Sequence, residues 1–271
     1  SLHHPWNPEA ESKLFRELVA QPWFGGFELP FYGTLHRFDN AWLCEHIDPS
    51  KKNILTLIPG TMDNLADNPQ HGLASVNEDG RAAALSFTEK AREALHMLND
   101  AMGRSVVKAV MVHSAPKRTS SAEISNRACL TDSLSTLRAR DWGGAELWVE
   151  HCDAYVEGRE PAKGFLDMES EIGALQDSQG KTPTGLLINW ARSVIEGRDR
   201  DTARQHLQRA KEVGLLRGLM FSGCTTDDPD YGTWAGPATP ARIGAVYILF
   251  LQTSGSGVSA QASVKAFSRI G

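Results

Sequence analysis

The sequence predicts an α/β fold, and specifically a (β/α)8 TIM barrel whose first strand is absent from the given chain. Short apolar runs alternate with amphipathic stretches, which indicates βαβ units and a parallel sheet. The 271 residues match the length of one such barrel, roughly 250 residues. The alternative is an open doubly wound sheet, but no GxGxxG or GxxxxGKS/T phosphate turn occurs, which disfavours it.

Seven apolar runs are predicted to be strands. They are nearly continuous rather than alternating, which is typical of parallel strands that are buried on both faces. The runs span residues 27–31, 53–59, 106–114, 146–152, 185–190, 215–222 and 245–253. An eight-stranded barrel requires one more strand, which we place before Ser1.

Five amphipathic stretches between the predicted strands are expected to be helices. They span residues 8–20, 80–103, 120–140, 168–176 and 201–214. Asp201 is the expected N-cap of the last helix, and Gly214 is expected just beyond its C-terminus. No long linker divides the chain, so we expect a single domain over residues 1–271.

Composition excludes several classes of protein. The net charge is -5 with a pI near 6.0 and no basic stripe, so no nucleic acid partner is expected. No apolar run reaches the roughly 20 residues of a membrane helix, and the N-terminus does not resemble a signal peptide. We therefore expect a cytoplasmic protein with no membrane partner. The four cysteines are widely spaced and are expected to be reduced thiols. Nothing in the composition indicates an oligomeric state.

Polar residues at the ends of the predicted strands are the candidate site, because catalytic groups of such barrels follow the strand C-termini. Glu28, His113 and Glu150 are candidate catalytic residues, since an ionisable side chain at the end of a buried strand needs a partner. The candidate substrate-binding residues are Asn189, Trp190, Arg192, Ser222, His151 and Asp153.

Most of these residues also have a structural interpretation. His113 can be a hydrogen-bonded core histidine, and Trp190 a core aromatic residue rather than a platform for a sugar ring. Strand alternation turns His151 away from Glu150, which favours a structural hydrogen bond for His151. Asp153 can cap the turn that follows it.

Several strand-end segments carry a resemblance to a known group of proteins. The segments are FELP (27–30), VHSAP (112–116), VEHCDA (149–154), INWARSVIEG (188–197) and GLMFSG (218–223). They resemble the xylose isomerase-like TIM barrels, the sugar phosphate isomerase/epimerase superfamily that includes endonuclease IV. Within that superfamily the chain looks most like one uncharacterised family, domain of unknown function 4862. The resemblance covers nearly the whole chain.

The resemblance implies a divalent metal held by a carboxylate, a DxxH motif on the next strand, and further ligands after it. Glu150 matches the first carboxylate. The DxxH position holds Asn189 and Arg192, and the next strand offers Met220. An amide, a guanidinium and a thioether are poor ligands for Mg²⁺ or Mn²⁺. We therefore expect no cofactor, disfavour a divalent metal, and expect an ion pair between Glu150 and Arg192 in its place.

Two functions follow as hypotheses. The first is an isomerase or epimerase acting on a carbohydrate or sugar acid, with Glu150 as the base, Glu28 as a second carboxylate, His113 polarising a carbonyl and Arg192 holding an anionic group. The alternative is a non-catalytic carbohydrate-binding or regulatory protein on the same barrel scaffold, because the DxxH motif is lost. Both imply a small-molecule carbohydrate ligand. A metal-dependent hydrolase or endonuclease is disfavoured, since it needs more metal ligands and a basic face.

Overall fold

The computed structural model describes residues 6–226, 234, 247–254 and 257–265. An open sheet of six parallel strands forms a half-barrel, in which each strand pairs with the next one in the chain. The strands are β1 (Phe27–Pro30), β2 (Asn53–Thr56), β3 (Val107–Val112), β4 (Glu146–His151), β5 (Thr184–Asn189) and β6 (Leu216–Phe221). All six were predicted from their apolar runs, to within a few residues.

Eight helices are present in the described part of the chain. They are α1 (Pro8–Val19), α2 (Asn40–His46), α3 (Ile58–Asp67), α4 (Glu78–Met102), α5 (Arg127–Arg138), α6 (Met168–Asp177), α7 (Trp190–Gly197) and α8 (Arg200–Glu212). Seven of them begin after an Asn or Asp whose side chain accepts a hydrogen bond from a backbone N–H of the first turn. Asp199, rather than the expected Asp201, is the N-cap of α8.

The apolar core lies on both sides of the sheet. On the outer side, Val149 of β4 and Ile188 of β5 belong to the large cluster that also contains Leu134 of α5 and Ile172 of α6. The inner side carries a smaller cluster of Ile54, Ala109, Met111, Trp148, Leu187 and Met220. This inner cluster defines the interior face of the half-barrel.

The predicted closed (β/α)8 barrel is wrong. The last two strands, β7 (Tyr247–Ser254) and β8 (Gly257–Lys265), form an antiparallel hairpin with no helix between them. In the strand order β7 pairs antiparallel with β6, and β8 lies beside β1 over two residue pairs. Parallel strands need a crossover of a dozen or more residues, so the two positions between Ser254 and Gly257 enforce an antiparallel pair.

The strand that the sequence did not reveal is therefore β8, at the C-terminal end of the described chain. The predicted run 245–253 corresponds to β7, and its first two residues lie outside the described residues. None of the helices in the described ranges is long and apolar enough to cross a membrane.

Candidate active site

Three polar side chains extend the interior face of the half-barrel at its C-terminal edge. His113, Glu150 and Asn189 each lie two residues after a member of the inner cluster: Met111, Trp148 and Leu187 respectively. Side chains two apart on a strand share a face, so alternation directs all three to the interior. All three are buried, with 3% or 4% of the residue surface exposed.

Glu150 is the centre of the hydrogen-bonded group. Its Oε2 lies 2.8 Å from His113 Nε2, and its Oε1 accepts from Asn189 Nδ2 at 2.8 Å. Among the described residues, His113 Nδ1 has no hydrogen-bond partner. The buried carboxylate thus contacts two polar groups, an imidazole nitrogen on one oxygen and an amide donor on the other.

Other contacts fix the orientation of the Asn189 amide. Its Oδ1 accepts from Ser222 Oγ at 2.6 Å and from the backbone N–H of Arg192 at 3.3 Å, which makes Asn189 the N-cap of α7. Its Nδ2 also lies 3.1 Å from Met220 Sδ. Because the Asn189 oxygen accepts from these two donors, its NH₂ group faces Glu150. A carboxylate oxygen is an acceptor, so it needs a donor at that position.

Cys152 belongs to the same group, with Sγ 3.8 Å from Glu150 Oε1. Burial raises the pKa of Cys152 well above its usual range, and the negative charge of Glu150 raises it further. The protonated thiol is a weak donor to the carboxylate rather than a nucleophile.

Asp153 organises the loop that follows β4. Its Oδ2 accepts from the backbone N–H groups of Lys163 at 2.7 Å and Gly164 at 3.3 Å. Gly164 has φ +64°, and a Cβ there would lie 2.3 Å from the Arg118 carbonyl oxygen, so only glycine fits. Asp153 is thus a loop cap, consistent with its structural interpretation.

The loop brings in a cation that the sequence reasoning missed. Burial, together with the positive charge of Arg192, lowers the pKa of Lys163 to about 8, against the influence of Asp153 and Glu150. Nothing in the local sequence distinguishes Lys163 from a surface lysine. Its position in the loop after β4, on the edge where barrel sites lie, is the one available signal.

Arg192 and Trp190 lie at the start of α7. Arg192 Nη1 is 3.7 Å from Asp153 Oδ1, so the ion pair seen for Arg192 is with Asp153 rather than the expected one with Glu150. The Trp190 ring lies 5.9 Å from that of Phe221, which is 40% exposed. Phe221 directly follows Met220 of the inner cluster, so strand alternation directs Phe221 away from the interior face.

The remaining two candidates, Glu28 and His151, occupy different faces of the sheet. Glu28 is fully buried in β1 and its Cα is in register with Ile54 of the inner cluster, which places it on the interior face. His151 lies on the outer face, where its Nδ1 is 2.7 Å from Glu171 Oε2 of α6. Burial alone would lower the pKa of His151, but Glu171 and Glu196 outweigh it and raise that pKa to about 10.

The interior group does not fit the hard divalent cation that the resemblance implies. His113, Glu150 and Cys152 each offer a ligand atom within 4.8 Å of the others. That set offers one carboxylate, one imidazole and one soft thiol, whereas Mg²⁺ and Mn²⁺ prefer several oxygen ligands. The Asn189 oxygen serves Ser222 and α7 instead.

Comparison with known proteins identifies the family of the chain. Residues 2–255 match the model of the family described as Domain of unknown function (DUF4862). The chain belongs to this family. The matched residues include Glu28, His113, Glu150, Asn189 and Ser222.

The DUF4862 chain is also similar to an uncharacterized protein of Salmonella typhimurium (strain LT2). The two are 33% identical over 231 residues, which is 85% of this chain and 72% of the Salmonella protein. The solved structure "The crystal structure of AsfvAP:AG" has a TM-score of 0.38 and 13% identity over 72% of this chain. The chain covers 55% of that structure, and a similarity this distant carries no argument about function.

Proposed function

We propose that this protein is an acid–base catalyst of the isomerase or epimerase class, acting on a carbohydrate or sugar acid in the cytoplasm. The observation that carries the proposal is the buried Glu150 carboxylate, held between His113 Nε2 and the Asn189 amide at 2.8 Å each. A xylose isomerase-like ancestry of the strand-end motifs, with a metal site that has degenerated, is part of the same proposal.

In this mechanism Glu150 removes the proton from the carbon next to a carbonyl group. The electron pair moves to the carbonyl oxygen, which takes a proton from His113, and an enediol results. Glu150 then gives its proton to the former carbonyl carbon, and His113 recovers a proton from the hydroxyl on the neighbouring carbon. These two transfers complete an isomerisation. Asn189 holds Glu150 in place throughout, because its amide donates to Oε1 and its oxygen is fixed by Ser222.

The charge around the group supports a substrate that carries an anion. Two cations lie here: Arg192 is close enough to lower the pKa of Lys163, and the Arg192 side chain is partly exposed. A carboxylate or phosphate of a sugar derivative would pair with them, and the fork of Arg192 suits either anion.

Epimerisation needs an acid on the opposite side of the carbon from the base. Glu28 is the candidate, since it is a buried carboxylate on the same interior face as Glu150. If Glu28 does not reach the substrate, the His113–Glu150 pair still supports an aldose–ketose isomerisation, which exchanges protons on one side.

The test is exchange of carbon-bound hydrogen with solvent. The protein is incubated in D₂O with a panel of sugars, sugar phosphates and sugar acids, and the loss of each C–H signal is followed by NMR. We expect one compound class to exchange with the parent protein and exchange to stop in Glu150→Gln. Glu146→Gln is the matched control, because Glu146 lies at the other end of β4 and pairs with Lys108 at 2.6 Å.

Two outcomes contradict the proposal. Exchange that persists in Glu150→Gln would remove Glu150 as the base. A compound that raises the melting temperature of the parent protein, without exchange or turnover, would indicate the non-catalytic carbohydrate-binding protein instead.

A further inference from the structure

A second cluster of ionisable side chains lies on the outer face of β4, away from the proposed catalytic group. It contains His151 of β4, Glu196 of α7 and His206 of α8, whose ligand atoms all lie within 4.8 Å of one another. His151 Nε2 is 3.3 Å from Glu196 Oε2, and His206 Nε2 is 3.7 Å from Glu196 Oε1. The two imidazole rings meet edge to face, at 4.7 Å and 81°.

The far nitrogen of each ring is already bonded to a neighbour. His151 Nδ1 lies 2.7 Å from Glu171 Oε2, and His206 Nδ1 lies 3.0 Å from Ser193 Oγ. Glu171 is itself fixed by Ser114 Oγ at 2.5 Å. Histidine ligands of metal ions are oriented in this way, with the distal N–H bonded to a carboxylate or another acceptor and Nε2 left for the metal.

The Nε2 atom of His151 points to a missing ligand. His151 is completely buried, and its Nε2 has no hydrogen-bond partner among the described residues; the contact with Glu196 is an ion pair without hydrogen-bond geometry. Buried polar atoms are nearly always hydrogen-bonded or bound to a metal, so this atom requires an explanation.

We propose that His151 Nε2, His206 Nε2 and the Glu196 carboxylate bind a zinc ion. Two imidazoles and a carboxylate are zinc ligands, whereas Mg²⁺ and Ca²⁺ select oxygen. Zinc–nitrogen bonds of about 2.0–2.1 Å in a tetrahedron place neighbouring ligand atoms about 3.3 Å apart. The two imidazole–carboxylate contacts of 3.3 and 3.7 Å are near this spacing, and the ligand atoms of all three residues lie within 4.8 Å of one another.

Charge and access agree with this assignment. His151 contacts two carboxylates, the buried one of Glu171 at 2.7 Å and the partly exposed one of Glu196 at 3.3 Å. A zinc ion at this position would offset both negative charges. The side chains of Glu196 and His206 are each 14% exposed, which gives the ion a route in from solvent. The ion would join β4 to α7 and α8.

The experiment uses the whole chain, stripped with a chelator and titrated with Zn²⁺ against a chromophoric competitor. We expect one equivalent to bind, and the affinity to fall about 10–100-fold in Ser193→Ala, which removes only the acceptor behind His206. His206→Gln should bind no zinc at this site. His96→Gln is the matched control, because His96 is also a helical histidine but contacts the Asp141 carbonyl oxygen, and it should bind like the parent.

Co²⁺ distinguishes this site from the interior group and does not depend on any variant folding. A tetrahedral Co²⁺ held by two nitrogens and an oxygen gives visible d–d bands without thiolate-to-metal charge transfer, whereas binding at Cys152 would add that transition. The proposal is wrong if the stripped protein binds no Zn²⁺, if His206→Gln binds it like the parent, or if the Co²⁺ spectrum shows a thiolate ligand that disappears in Cys152→Ser.

Discussion

Glu171→Gln should destabilise the fold far more than Glu169→Gln, although both glutamates lie on α6 and both form ion pairs. Glu171 and His151 are completely buried and 2.7 Å apart. Glu169 makes a two-pronged pair with Arg209 at 2.7 and 2.9 Å, but its side chain is 61% exposed. The two pairs differ in burial and also in the partner, which is a histidine for Glu171 and an arginine for Glu169.

The expected loss in the free energy of unfolding follows from the interactions that a glutamine at position 171 can retain. Ser114 and His151 contact different oxygens of Glu171, and glutamine has only one oxygen, so one of the two contacts is lost together with the negative charge. Breaking a buried ion pair costs about 3–5 kcal/mol, because one charge is left without compensation. Glu196 remains beside His151, so we expect about 3 kcal/mol. The exposed Glu169 pair is screened by solvent, and its loss should be within experimental error.

The assay is guanidinium unfolding of both variants and the parent, in the presence of a chelator so that no metal contributes. Linear extrapolation gives the free energy of unfolding, and equal slopes show that the unfolding transition is unchanged. Equal free energies for Glu171→Gln and Glu169→Gln would refute the reasoning. The buried pair would then contribute no net stability.

Three further predictions concern the interior edge of the sheet. A lowered pKa means that folded Lys163 binds its proton less tightly than the unfolded chain does, so the free energy of unfolding should rise with pH between about 8 and 10.5, and Lys163→Met should reduce that rise in pH-dependent urea melts. Asn189→Ala should cost about 1–3 kcal/mol in the same assay, because the carboxylate of Glu150 loses a buried donor; a neutral effect would contradict the assigned bond. Gly164→Ala should cost about 1–3 kcal/mol more than Gly158→Ala, since both have positive φ but only Gly164 has no room for a Cβ; equal costs would contradict the steric argument.

The sequence was sufficient to locate the strands of the parallel sheet and the residues at their ends. Buried parallel strands are continuous apolar runs, and period-two alternation then assigns His113, Glu150 and Asn189 to one face. The same rule turned His151 to the other face, where it lies in the structure.

The hairpin could not be predicted in this way. The β8 sequence, GVSAQASVK, has no apolar run, and its strand direction depends on a short connection rather than on periodicity. The assumption that every strand belongs to a βαβ unit therefore led to the wrong barrel.

The helical residues of the outer cluster could not be predicted from the sequence either. Glu171, Glu196 and His206 lie in amphipathic segments where polar residues usually face solvent, and only the packing of α6, α7 and α8 on β4 brings them together. Lys163 lies in a loop, whose path is set by the Asp153 side chain and by Gly164.

The alternation along β4 has a consequence for the precision of the fold. Glu150 is bound on the interior and His151 on the exterior, so a slip of β4 by one residue would leave a carboxylate among the helices and an imidazole in the interior. Both sets of bonds would be lost at once. The register of β4 against β5, with Glu150 beside Leu187, is therefore stabilised by polar contacts on both faces of β4.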